Sequence, residues 1–318
     1  MTALCGTVSA DMDTEFYGYQ WIRYGLTYEA DIMKKNEFTV PRTYLRFSAE
    51  DKVAGYKGHI TLDIAMVEGG QDDGNIDWAI WIKNAYVDLY KLFPAVNLKL
   101  RIGVQPVYFG TLDLWKYPLI EIPFEDKQGV FSSADLGAAI IGQAIDGSVE
   151  YEIAVYNGSG YKHLDTDLSK NFVASLKINF LEDYYFRTSF SDDGTDNVEA
   201  VILGFNFWRI TGYAEYLRSV VKVPPEATPG KSWTKEGISL FLSGGITEAL
   251  SLNIRYDSWN EDTGLTNDET ARYIAGLYYE LNEAMSVQFN YQLTQPKVAD
   301  GTPNENLWLV QYGWSWGP

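Results

Sequence analysis

Residues 98–104 read Leu98-Lys99-Leu100-Arg101-Ile102-Gly103-Val104, with an apolar side chain at every second position. Period-two alternation marks a strand with one apolar and one polar face, because successive side chains leave a pleated backbone on opposite sides. A helix would space its apolar residues three and four apart. The pattern recurs to either side. Leu45 and Phe47 alternate with Arg42, Tyr44 and Arg46, and Ile60, Leu62, Ile64 and Met66 with His59, Thr61 and Asp63. Val287, Phe289, Tyr291 and Leu293 alternate with Gln288, Asn290 and Gln292. From Phe16 onward the chain repeats one unit, about ten residues of alternation and then a polar break. The expected strands lie near 14–28, 38–49, 57–67, 79–91, 96–105, 134–143, 148–157, 170–181, 183–191, 197–208, 210–222, 234–245, 249–258, 271–281, 285–295 and 306–316. That makes about sixteen strands, each long enough to cross a bilayer at a steep tilt.

The connectors support the same reading. Even-numbered ones are compact, among them Phe93-Pro94-Ala95, Ile145-Asp146-Gly147, Glu182-Asp183, Thr247-Glu248-Ala249 and Asn282-Glu283-Ala284. Odd-numbered ones are mostly longer and polar: 68–78, 106–133, 158–169, 223–233, 259–270 and 296–305. A soluble sandwich has no reason to sort its loops by parity, whereas a membrane barrel has short turns on one side and long loops on the other. The expected fold is therefore an all-β, antiparallel transmembrane barrel over residues 11–318.

Composition narrows the chemistry. The 318 residues carry 25 Lys+Arg against 43 Asp+Glu, a net charge of −18, so a basic groove for nucleic acid is excluded. An aromatic content of 15%, with 10 Trp and 23 Tyr, is too rich for a disordered acidic chain. Cys5 is the single cysteine, which removes intrachain disulfides and cysteine-based zinc clusters. His59 and His163 are the two histidines, and neither sits beside a nucleophile motif. Gly230-Lys231-Ser232 ends like a phosphate-binding loop, but Pro225 stands where that motif needs its first glycine. No enzyme activity, cofactor or metal site is expected. The mean hydropathy of −0.20 fits a barrel, since only alternate residues meet lipid. Residues 1–10 end in Val8-Ser9-Ala10, a small-residue pattern that fits the tail of a cleaved leader, with an ordinary flexible terminus as the alternative.

Alternation also assigns faces. Arg42, Arg46, Lys99, Arg101, Lys177, Arg187 and Arg255 fall on the polar face as basic pore-lining candidates. Asp63, Asp88, Glu150, Glu152, Glu215, Asp257 and Glu280 are the acidic ones. Trp21, Tyr184, Phe207, Trp208, Tyr312, Trp314 and Trp316 lie near strand ends, where amphipathic rings would form interfacial girdles. Asp72, Asp73, Asp77, Asp192, Asp193, Asp196, Glu261, Asp262, Asp268 and Glu269 concentrate acidity in the odd loops. There they are either solvated loop charges or ligands for Ca2+ or Mg2+ bridging to lipopolysaccharide phosphates.

The connector 106–133 is the longest and holds too many apolar residues for a free tail. Its ordinal position, third among the outer loops, predicts a segment folded into the lumen. Tyr108, Asp113, Lys116, Glu121, Glu125, Asp126 and Lys127 would then be its constriction residues. An external lid or partner-binding loop is the alternative.

Ala85-Tyr86-Val87-Asp88, Leu100-Arg101-Ile102-Gly103-Val104-Gln105-Pro106, Asp135-Leu136-Gly137-Ala138-Ala139-Ile140-Ile141-Gly142 and Ala154-Val155-Tyr156-Asn157-Gly158-Ser159-Gly160 together resemble the phosphate-selective porin O/P-like family of bacterial outer-membrane porins. The resemblance spans roughly residues 40–180; Gly212-Tyr213-Ala214-Glu215-Tyr216 is also similar. It implies a sixteen-stranded, homotrimeric barrel in the lipid bilayer, passing small hydrophilic solutes or ions passively. The family's terminal aromatic signal matches Gln311-Tyr312-Gly313-Trp314-Ser315-Trp316, although Gly317 and Pro318 follow it. Phosphate-selecting members line the pore with an arginine ladder. The acids interleaved here predict a mixed lining instead. Two other classes stay open at this point: a structural or partner-binding barrel with an occluded pore, and a secreted carbohydrate-binding β-sandwich.

Overall fold

The computed structural model describes residues 12–68, 76–92, 97–166, 168–222, 232–266, 268–297 and 301–317. The expected leader at 1–10, Cys5, Asp72, Asp73 and most of the connector 223–233 lie outside them. Sixteen strands follow one another: β1 (Met12–Glu29), β2 (Ile32–Asp51), β3 (Tyr56–Glu68), β4 (Ile76–Leu89), β5 (Leu98–Pro106), β6 (Ala134–Ala144), β7 (Val149–Tyr156) and β8 (Asn171–Phe180). β9 (Tyr184–Asp192), β10 (Asp196–Phe207), β11 (Ile210–Lys222), β12 (Ser232–Gly245), β13 (Leu250–Asn260), β14 (Glu269–Asn282), β15 (Met285–Lys297) and β16 (Glu305–Trp316) complete the series. A short helix, α1 (Phe124–Lys127), interrupts the β5–β6 connector.

Each strand pairs antiparallel with its sequence neighbours, and β16 returns to β1, from Gly18 opposite Trp316 to Glu29 opposite Glu305. The barrel is closed, which satisfies every strand's hydrogen bonding without an edge. Closure overturns the sandwich alternative. Every expected strand is present, with ends within three residues of expectation except the start of β2.

That exception has a physical reason. Residues 32–38 are exposed on both faces, so nothing imposes an alternating pattern on them, yet the backbone continues to pair with β1. The hairpin closes at Ala30 and Asp31, both left-handed at φ 47° and 64°, the geometry whose twist matches paired strands.

The two faces are sharply different. Ile80, Ile82, Ile102, Leu203, Ile254, Phe289 and Val310 expose their side chains on one face, and the same belt continues on other strands. The opposite face buries Asp63, Asp88, Arg101, Arg187, Glu215, Arg255 and Asp257. A bulge in β4 shifts the alternation: Thr61 pairs with Asn84 and Leu62 with Ile82, leaving Lys83 as the extra residue. At Gly103 φ is 127°, and a Cβ there would come within 2.8 Å of the Tyr86 Cα, so β5 needs glycine to lie this close to β4.

Candidate functional site: the polar face and segment 107–133

The largest fully buried apolar side chains include Phe109, Leu119 and Phe124, all from segment 107–133. They form two clusters. Phe109, Leu112 and Phe124 pack with Ala139, Ala154, Val173, Val198, Leu217 and Trp259; Trp115 and Leu119 pack with Ile202, Tyr213, Phe241 and Ile274. Apolar residues on the otherwise polar face thus receive the segment.

Polar contacts fix it further. Gly110 N donates to Ser189 Oγ of β9 at 3.2 Å, and Asp113 pairs with Arg187 at 2.5 Å. Gln288 and Gln292 of β15 donate to the carbonyls of Tyr117 and Ile120 at 2.7 and 2.8 Å. Arg255 of β13 donates to Ile122 O at 2.8 Å, Arg272 of β14 pairs with Glu121, and Arg42 of β2 donates to the Tyr117 hydroxyl at 3.1 Å. These are the carbonyls and carboxylates a segment without strand partners must otherwise leave unsatisfied. Within the segment, Trp115 Nε1 donates to Glu121 O at 2.8 Å and Lys127 lies 3.8 Å from Glu121. Lys116 is exposed and donates to Asp113 O.

Two carboxyls meet where the segment touches β11. Glu125 and Glu215 are both fully buried, and the Thr111 hydroxyl donates toward them at 2.9 and 3.4 Å. Burial holds the Glu125 carboxyl above the ordinary glutamate range, its hydrogen bonds opposing that shift. Asp126 is raised by burial too, against the pull of Lys83, Arg42 and Lys162.

The charged side chains expected on the polar face are there, and most are paired. Asp88 holds Arg101 at 2.6 Å and Lys99 at 3.1 Å, and Arg101 also lies 4.1 Å above the Tyr86 ring. Lys177 meets Glu150 at 2.8 Å, and Arg255 meets Asp257 at 2.7 Å. Arg42 lies 3.4 Å from Asp63, which also accepts from the Tyr161 hydroxyl at 2.9 Å. Glu152 accepts from the Tyr156 hydroxyl at 3.0 Å. Arg46 stacks on tyrosines, and Glu280 is exposed beside the β14–β15 turn.

Several cations on this face were not among the alternation candidates, Arg272, Arg23 and Lys83 among them. Arg272 pairs with Glu121 and Asp257; stepping back by twos from Glu280 reaches it, so the signal was present. Arg23 donates to Gln311 at 2.9 Å. Lys83 was hidden by the bulge, which turns it to the Asp88 side of the strand, where its Nζ lies 2.7 Å from the Tyr44 hydroxyl.

One girdle assignment is corrected. Trp21 shares the polar face with Tyr19 and Arg23, its ring 5.0 Å from Tyr117, because exposed Ile22 takes the apolar side. The other girdle candidates are on the apolar side or at its rim. Trp314 and Trp316 lie 5.2 Å apart, and Tyr312 sits opposite Ile22. Tyr184 flanks Phe180, while Phe207 and Trp208 are exposed at the β10–β11 turn.

The loop acids do local work. Asp193 Oδ1 accepts from the backbone of Thr195 and Asp196, and Asp192 from Gly194, closing the β9–β10 turn. Asp262 accepts from Gly264 N, and Glu261 pairs with Lys235 at 2.8 Å. Among the described residues, no three His, Cys, Asp or Glu side chains gather as metal ligands would.

The architecture defines a class: sixteen-stranded antiparallel barrels with a long segment between β5 and β6 packed on the polar face. Solved structures of outer-membrane barrels match it over nearly the whole chain. The outer membrane channel DcaP of Acinetobacter baumannii superposes with a TM-score of 0.71 at 13% identity, covering 98% of this chain and 99% of that one. An anion-selective porin from Comamonas acidovorans gives 0.68 at 12%, covering 96% and 100%. The trimer form of OmpT, an outer membrane protein of Vibrio cholerae, gives 0.67 at 12%, covering 96% and 99%. No protein-family model and no curated protein sequence matches the chain.

Proposed function

We propose that the chain is a bacterial outer-membrane porin, a non-enzymatic channel for passive diffusion of small hydrophilic solutes or ions. The observation that carries this reading is segment 107–133, hydrogen-bonded to the polar faces of β2, β9, β11, β13, β14 and β15. A segment that touches one face of strands all around a closed barrel belongs inside it. There it narrows a water-filled bore instead of acting as an external lid. The exposed belt of Ile, Leu and Phe on the other face suits acyl chains, and the rim aromatics suit the headgroups.

The polar face leaves open space on either side of the segment. One cavity of about 360 Å³ is lined by Lys99, Tyr108, Asp113, Glu152, Lys177 and Arg187; another, of about 510 Å³, includes Arg42, Asp126, Asp135, Lys162 and His163. Their mixed charge favours a general lining over the arginine ladder of phosphate-selective relatives, so phosphate preference is not part of the reading. Lipid and lipopolysaccharide surround the barrel in this proposal. A homotrimer agrees with the trimer form of the similar OmpT. Planar-bilayer recording tests it: purified protein should give stepwise, ohmic conductance, and protein that inserts without ever conducting refutes the channel in favour of an occluded barrel.

A further inference from the structure

Arg46 stands apart from the other basic side chains of the polar face. Its guanidinium lies 5.7, 5.2 and 5.2 Å from the ring centroids of Tyr17, Tyr19 and Tyr44. Among the described residues no carboxylate forms an ion pair with it, and its Nε is buried without a hydrogen-bond partner. Tyrosine faces attract the cation but leave its edge donors unused. A half-buried guanidinium without a counter-ion can bind a carboxylate bidentately.

The same guanidinium borders a cavity of about 460 Å³, within the roughly 300–1,000 Å³ range of small-molecule sites. Its walls are aromatic: Tyr19, Trp21, Trp115, Tyr117 and Tyr278. Tyr19 and Trp21 sit 5.2 Å apart, and Trp21 meets Tyr117 edge-on at 5.0 Å. Lys116, Glu280 and Glu283 complete the charged lining; all three are exposed, so water screens them. Rings on several sides, with Arg46 the one charged group of the lining that is half-buried, suit a ligand that is flat, apolar in its body and anionic at one end.

Resting on the channel reading, we infer that this cavity is a binding station for small aromatic carboxylates passing through the bore. Tyr19, Trp21 and Tyr117 would hold the ring and Arg46 the carboxylate. Occupancy would be brief, as transit requires a site weak enough to leave.

Sodium benzoate serves as the probe, and saturation-transfer NMR on folded, detergent-solubilised protein reads the binding. Benzoate should saturate, with acetate (no ring) and benzyl alcohol (no charge) each binding about tenfold or more weakly. Arg46→Gln should weaken benzoate by about tenfold or more, Arg46→Lys by less, and Trp21→Leu should also weaken it. Heat-modifiable migration verifies that each variant is folded, and the two Arg46 variants suffice if Trp21→Leu is not. Equal binding of acetate and benzoate, or unchanged binding by folded Arg46→Gln, overturns the inference. The binding is read without conductance, so the two proposals separate. Protein that binds benzoate and never conducts refutes the channel alone, and protein that conducts without binding benzoate refutes the station alone.

Discussion

Replacing Phe124 by alanine tests whether segment 107–133 is a separable insert in a self-sufficient barrel. Phe124 opens α1, is fully buried, and meets Trp259 of β13 edge-on at 5.8 Å. The backbone bonds of its helix stay within the segment, from Lys127 N to Pro123 O and from Gln128 N to Phe124 O. The ring is therefore one of the ties between segment and wall, and no strand–strand hydrogen bond depends on it. Truncating a buried Phe costs about 3–5 kcal/mol. At about 1.4 kcal/mol per power of ten, the packed-to-released ratio of the segment falls by roughly two to three and a half powers of ten. The barrel ladder is untouched, so the temperature of the heat-modifiable shift should stay at the wild-type value. Single-channel records should change instead, with the steady level giving way to flicker and excursions to higher conductance. If records are unchanged while the unfolding temperature drops, the loss falls on the barrel, and the segment is part of its structural core.

Three further outcomes follow from the pairing on the polar face. Lys83→Met removes a cation whose contact is the Tyr44 hydroxyl at 2.7 Å, with no ion pair among the described residues. Its reversal potential in a salt gradient should move toward cation preference, and an unmoved value would mean that Lys83 contributes no charge to the ion path. Arg187→Gln strips Asp113 of its 2.5 Å partner, but the Asp113 side chain is still 22% exposed. The stability cost should therefore stay below the roughly 3–5 kcal/mol of a fully buried broken pair, with cation permeability rising, as denaturation and reversal potential would report. Glu125 is raised by burial, so its packed form prefers the proton. Attachment of the segment is then strongest below the ordinary value of 4.5 and weakens as pH rises toward the raised one. Flicker should increase over that interval in wild type and rise less steeply in Glu125→Gln, where the buried Glu215 remains at the contact; an equal slope in both would assign the effect to another group.

Strand positions were legible because each strand has exposed apolar side chains on one face and buried polar groups on the other, and that asymmetry writes itself into alternate residues. Where the asymmetry ends, legibility ends. Residues 32–38, exposed on both faces, carry no period although they are strand. Phase was legible only between irregularities: the bulge at Lys83 inverts it, and counting from Asp88 puts that lysine on the wrong side. Trp21 misled for a different reason. Position near a strand end suggests a girdle, but its face follows from Ile22 beside it. The anchors of segment 107–133 could not be read at all, since Arg255 meets Ile122 across 133 positions and Gln292 meets Ile120 across 172. Local pattern reports which face a residue takes and carries nothing about which residue stands opposite across a closed barrel.

The charge of −18 bears on the polar face less than its size suggests. Asp88 serves both Lys99 and Arg101, and Asp257 serves both Arg255 and Arg272, so two acids meet four cations. Many of the remaining acids sit in connectors or at strand ends, where Asp192, Asp193 and Asp262 cap turns. Exposed loop charges more than a Debye length of about 8–10 Å away are largely screened from the polar face. On the channel reading, ion preference then rests on side chains left unmatched on the polar face, and Arg46 and Lys83 are two basic side chains without an acid partner among the described residues. A chain this acidic can thus hold a locally basic wall along β2 and β4.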